Sequence, residues 1–302
     1  MSLKNWLKFF ALSLIWGTSF FWIKIGLQEV DPITLVFFRV SFATLGLIVF
    51  FLITRKRYPL KFWWLYLFLG FFNVAFPFIL ITWAETHISS GMASVMNSTQ
   101  PLATALFAAI FIKEERLTSQ RILGLVIGFG GVLMLMSDRL SGGLSGQLLG
   151  ILAMAVAVLS YGGSAVFARL KNKNVTPESQ ALGQMSFGLI FLVPALLTFE
   201  SPFVLPKLPI SYLAFAWLGL LGSFVASVLW YKLLDAIGPS RTSMTTYLFP
   251  LIGVTLGALV LNESVSWRLL AGGLLVILGI IIVNRRKVNS SSLTPADSQE
   301  EG

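Results

Sequence analysis

Residues 16–24 read Trp-Gly-Thr-Ser-Phe-Phe-Trp-Ile-Lys, and residues 161–169 read Tyr-Gly-Gly-Ser-Ala-Val-Phe-Ala-Arg. A shift of 145 positions lays Trp16-Gly17 on Tyr161-Gly162, Ser19 on Ser164 and Lys24 on Arg169. At the same shift Asp31-Pro32 meets Thr176-Pro177, both expected helix starts with a side-chain oxygen capping free amides and Pro in the first turn, and Ser41-Phe42 meets Ser186-Phe187. Further along, a shift of 147 pairs Trp83 and Gly91 with Trp230 and Gly238, and 149 pairs Pro101 with Pro250. At 148, Glu115, Thr118, Gly124 and Gly131 fall on Glu263, Ser266, Gly272 and Gly279. The drift fits loop insertions, and so many matches in chain order identify an internal repeat.

The surroundings of the repeat are apolar. Of 302 residues, 56% are apolar, 14% aromatic and only 12% charged. A soluble chain carries roughly 25% charged residues, so a water-solvated fold is excluded and a bilayer is the expected solvent. Ten runs are close to the length that spans hydrocarbon: 5–27, 33–53, 62–84, 91–112, 119–136, 148–168, 179–199, 211–234, 242–261 and 267–284. The first follows Lys4 and Lys8 as a leader would, but it is long for one and has a repeat partner. The fold expected is an all-α polytopic membrane protein.

The net charge of +9 invites a nucleic-acid reading, but the basic residues sit between the apolar runs. With the N-terminus cytoplasmic, 17 of the 22 lie inside, Arg139, Lys207 and Arg268 lie outside, and Lys24 and Arg39 fall within spans. That is the positive-inside pattern, and it puts both termini in the cytoplasm. Each half holds five spans, an odd number, so the halves must enter the membrane from opposite sides. The expectation is two inverted five-helix repeats, residues 1–140 and 146–284, with a disordered cytoplasmic tail at 285–302. Inverted repeats suit alternating access, because exchanging the conformations of two similar units moves an opening from one face to the other.

Candidate binding residues follow from polar or aromatic groups at membrane depth. Pro101 and Pro250 each deprive the carbonyl four residues earlier of its donor, freeing Asn97 and Thr246 at matched places, and paired interruptions point to a binding site. Gln100 adds a side-chain amide there; interhelical hydrogen bonding is the plainer role for Asn97 and Gln100. Trp16 and Tyr161 lie too deep for an interfacial belt and could line an aromatic cavity with Trp83, Trp230 and Tyr247, although core packing also suits them. Asn73 and Phe76 lie near the kink expected at Pro77. No Asp, Glu or His falls between the ends of any span, so coupling to protons has no evident carrier. Glu85 and His87 could relay protons at the outer end of the third span, with loop solvation the plainer reading. Lys24 and Arg39 are expected to snorkel or to pair with Glu29, Asp31 or Glu85. Glu115 and Glu263 could hold a gate or stabilise the start of the next helix. Gly124 and Gly128 form a small-residue face suited to close packing, within the chain or across a dimer.

Trp16-Gly17, the turn Glu115-Arg116-Leu117-Thr118 with Gly124 and Gly131, and its echo from Glu263 resemble the EamA-type branch of the drug/metabolite transporter superfamily, over about residues 5 to 284. The second copy, Glu263-Ser264-Val265-Ser266, lacks the basic residue. The resemblance implies a bacterial inner-membrane permease, often an exporter of amino acids, related metabolites or toxic organics. It further implies a central cavity lined by helices 1, 3, 4, 6, 8 and 9, with 5 and 10 at the periphery. The expected partners are a small-molecule substrate and the lipid bilayer, with no nucleic acid, as a monomer or homodimer. No phosphate-binding Gly-Lys-Ser/Thr loop is present, no cofactor is indicated, and one His with no Cys cannot furnish a hydrolytic or metal centre. Import of a small amine, and a non-transporting lipid- or partner-binding protein, are the competing readings.

Overall fold

The computed structural model describes residues 2–55, 58–113, 118–140, 146–171, 175–202, 204–237 and 242–284. Glu115, Arg116 and the tail at 285–302 lie outside the described residues. The described chain is helical, with no strand. Helix α1 runs Leu3–Gly17 and, past a turn at Thr18, Ser19–Gly26; α2 is Pro32–Thr54. Helix α3 comprises Trp63–Leu69, a π-helical segment Gly70–Ala75 and Phe76–Glu85. Helix α4 is split into Ser90–Asn97 and Gln100–Phe111, followed by α5 (Ser119–Leu140), α6 (Gly146–Lys171) and α7 (Pro177–Phe199). Helix α8 comprises Pro209–Ala216, a π-segment Trp217–Val225 and Ala226–Ile237. Helix α9 opens with a 3₁₀ turn, Ser243–Leu248, and continues as Phe249–Val260; α10 is Trp267–Asn284.

Eight of these are long and apolar enough to cross a membrane. Met244–Val260 is a shorter apolar helix, and the expected span 91–112 is present in two pieces because Ser98 and Thr99 leave the helix just before Pro101. The protein is therefore a polytopic membrane protein.

Packing follows the repeat. Helix α1 packs on α8 and α9 as α6 does on α3 and α4; α2 packs on α8 as α7 does on α3. The remaining major pairs are α2 with α7, α4 with α9 and α5 with α10. This pattern is unchanged when each helix is exchanged for the one five places on. The α5–α10 pair is a glycine seam, with α10 rather than a second chain against α5. A Cβ on Gly124 would lie 2.7 Å from the Gly279 carbonyl oxygen, and one on Gly131 would lie 2.6 Å from that of Gly272. Only residues without side chains let two helices approach so closely.

The helix starts hold one correction. Thr176 caps α7 as its sequence suggests, accepting from the Ser179 amide, but Asp31 makes no such bond at α2. The carboxylate of Glu200 takes that place, accepting from the amides of Ile33 (2.8 Å) and Thr34 (2.7 Å) and from the Thr34 hydroxyl. A glutamate from the other half reaches amides that the shorter Asp31 leaves free.

Candidate substrate site

Both halves interrupt their helices at corresponding positions. The π-segments of α3 and α8 start at Gly70 and Trp217, which the shift of 147 superimposes. A π-turn widens the helix and exposes carbonyl oxygens that an α-helix would use internally. Here one carbonyl of each segment is met by a side chain from the opposite half. The Trp16 indole N–H donates to the Gly222 carbonyl at 2.9 Å, and the Ser160 hydroxyl donates to that of Phe72 at 2.6 Å. Thus α1 serves α8 as α6 serves α3. The splits in α4 and α9 form the second matched pair, each placing a proline in the first turn of the restarted helix.

These interruptions gather part of the predicted aromatic set. Trp16 lies 5.4 Å from Trp230 between ring centroids and meets Phe249 edge-on at 6.2 Å. Tyr161 stands on α6, 6.5 Å from Phe78. Both Trp16 and Tyr161 border the same apolar cluster, which includes Ile81, Met96, Met154 and Phe249. Asn97 ends the first piece of α4 with its side-chain carbonyl oxygen buried and unpartnered. Gln100 begins the second piece, and Thr246 is buried in the 3₁₀ turn of α9. Trp16, Gln100, Tyr161 and Trp230 keep partial exposure despite their mid-helix positions.

Other predicted residues are placed elsewhere. Tyr247 turns toward α10, where its hydroxyl accepts from the Asn284 amide at 2.9 Å. Trp83 stays at the end of α3 against His87, 4.4 Å between centroids. Asn73, within the π-segment, donates to Gln184 on α7 at 2.9 Å. Phe76 lines a groove of about 300 Å³ with Phe68, Phe72, Phe107, Ser160 and Ser164. None of the other predicted site residues borders that groove.

Charge collects at one end of the bundle, where the loops after α1, α3, α7 and α9 meet; we term it the distal end. Three glutamates there bridge the halves by capping helices. Glu200 caps α2 as described. Glu29 accepts from the amides of Lys207 and Leu208 and from the Ser211 hydroxyl at 2.6 Å, at the start of α8. The Ser211 bond is the leading cause that holds the Glu29 carboxyl below its usual range. Glu263 accepts from the Ser90 amide (2.9 Å), the Ser90 hydroxyl (2.8 Å) and the Gly91 amide (3.3 Å) at the start of α4. Asn262, at φ 55°, closes α9 in the left-handed turn that Asn tolerates, and the Glu263 amide returns to the Gly257 carbonyl. Glu263 therefore stabilises a helix of the other half rather than the helix that follows it.

Two expectations about buried charge are corrected. Glu85 is not solvated in a loop: it has 0% exposure, because Ile81, Ala84 and Ile88 draw the end of α3 into the core. Nor does Arg39 snorkel. It is buried, stacks 4.0 Å over the Phe78 ring and donates from Nε to Ser223 in the π-segment of α8. Lys24 donates to the backbone carbonyl of Glu85. Sequence reading missed Ser223, Gln184 and Phe249; no local signal marks them, because each gains its role from a helix distant in the chain.

The sequence profile of the EamA-like transporter family matches residues 5–137 and 148–285. An Archaeoglobus fulgidus protein named uncharacterized transporter is 27% identical over 285 residues, covering 94% of this chain and 100% of its own. An Escherichia coli K12 protein named uncharacterized inner membrane transporter YedA is 28% identical over 260 residues, with 85% and 83% covered. A probable amino-acid metabolite efflux pump from the same strain is 26% identical over 295 residues, with 93% and 95% covered. A protein of known crystal structure, 19% identical, superimposes with a TM-score of 0.65 over 94% of this chain and 98% of that one, which shows a shared fold.

Proposed function

The chain belongs to the EamA-like transporter family, and from that membership we propose that it is a secondary transporter exporting amino acids or related small metabolites by alternating access. It is a membrane transporter rather than an enzyme. The reading places it in a bacterial inner membrane, with both termini cytoplasmic and the distal end outside, as its basic residues favour. The observation that carries the mechanism is the two matched pairs of interruptions, in α3/α8 and α4/α9, with one carbonyl of each π-segment held by a side chain of the opposite half. Two inverted units that mirror each other's breaks supply two equivalent hinges, one for each face. The aromatic group of Trp16, Trp230 and Phe249, with the unpartnered Asn97 oxygen, offers ring stacking and hydrogen bonding to an amino acid. Export and amino acids draw further support from the relative named as an amino-acid metabolite efflux pump.

The test is a ligand-stabilisation screen of purified protein against amino acids, aromatic cations, polyamines and nucleosides, followed by liposome flux for each hit. Stabilisation by amino acids with saturable flux is expected. Binding without flux by any hit would leave a non-transporting protein as the better description.

A further inference from the structure

At the distal end, three glutamates are fully engaged in capping helices, and one is not. Glu85 is completely buried, and neither carboxyl oxygen has a hydrogen-bond partner. The groups that act on its charge are Lys24 from α1, Arg39 from α2 and Glu263 from the loop before α10. Tyr161 on α6 acts in turn on Arg39, and on its own element His87 is turned onto Trp83. Both cations are already committed elsewhere. Lys24 bonds the backbone carbonyl of Glu85, and Arg39 bonds Ser223 and covers Phe78. A fully buried carboxyl without a donor is costly to keep unless it has a functional task.

We propose that Glu85 is the proton carrier of the transport cycle: it takes a proton from outside water as the empty distal end closes, and yields it to cytoplasmic water when substrate binds from that side. This rests on the transporter reading above. The step is a single proton adding to or leaving one carboxyl oxygen, with no other bond changed. When the distal end opens, water and Lys24 stabilise the anion. When it closes without substrate, a bound proton removes the charge that closure would bury. Because the proton bound from outside leaves on the cytoplasmic side as substrate binds, each molecule exported is tied to one proton entering. Sequence reading allowed Glu85 a relay role but favoured loop solvation, because it stands at the end of its apolar run and only the tertiary fold removes it from water.

Full-length protein in liposomes, with phenylalanine as probe, tests the coupling. Wild type is expected to concentrate phenylalanine against its gradient when a proton gradient is imposed. Glu85→Gln should lose that accumulation yet exchange phenylalanine at equal pH, and Glu85→Asp should recover part of it. Gradient-driven accumulation in Glu85→Gln, or a wild type whose exchange ignores the proton gradient, overturns the proposal. A second measurement needs no substrate and so separates this inference from the transport reading. Infrared spectra of purified wild type should show a protonated-carboxyl C=O band that disappears in alkaline buffer and is missing from Glu85→Gln. If wild type lacks that band in acid, Glu85 is no proton carrier whatever phenylalanine does.

Discussion

Trp16 serves two purposes whose separation is testable. Its ring builds the aromatic group with Trp230 and Phe249, while its indole N–H satisfies the Gly222 carbonyl exposed by the π-segment. Trp16→Phe keeps most of the ring and removes the donor. We expect about 1 kcal/mol of lost stability, read as a small drop in melting temperature, with weaker ligand stabilisation. Trp16→Ala and Asn97→Ala should impair flux while leaving a folded protein, and unimpaired flux in both would move the substrate site elsewhere. At Glu29 the expected effect is on pH. Its folded carboxyl titrates below the unfolded one, so its contribution is complete above the usual carboxylate range and is lost as pH falls through the lowered value. Ser211→Ala should move that loss to higher pH, visible in melting temperature against pH. Residues of this kind were partly legible in sequence. Trp16 and Asn97 announced themselves by type and depth, whereas Arg39 and Glu85 looked peripheral because burial depends on helices far away in the chain.

At the level of elements, the apolar runs gave most helix positions correctly, since span length is fixed by hydrocarbon thickness. The π-segments were invisible to that reading. Hydropathy reports composition, and a change of hydrogen-bond register alters none of it. The prolines foretold the splits in α4 and α9 because a missing amide is written in the residue itself. The glycine face of α5 was legible too, and the fold decides its partner. Gly131→Ala should cost roughly 1–3 kcal/mol by overpacking, since its Cβ would stand 2.6 Å from the Gly272 carbonyl. Gly130→Ala, one residue away with nothing within 4 Å of the new carbon, should be neutral or slightly stabilising. Thermal melts of the two variants check the seam, and equal effects would contradict it.

For the whole molecule, the three glutamate caps describe a conformation in which the two halves are fastened together at the distal end. The chain has no cysteine, so introduced pairs report cleanly. Ser89→Cys with Ser264→Cys, joined by a short bifunctional thiol reagent, should hold α4 to the turn after α9 and stop flux until the link is cleaved. Continued flux in the linked protein would show that this end does not open. Labelling either cysteine from outside intact cells also tests the orientation. Release of the fastening needs a compliant joint, and the π-segments of α3 and α8 have a property suited to it. Such a bulge is one surplus residue in the helical ladder, and it can migrate by exchanging one hydrogen bond at a time. Each step swivels the backbone it passes by about 100°, which would carry Asn73 off Gln184 and Ser223 off Arg39. Two travelling dislocations, one in each half, would let the bundle change its open face by twisting segments in place without pulling any helix out of the membrane.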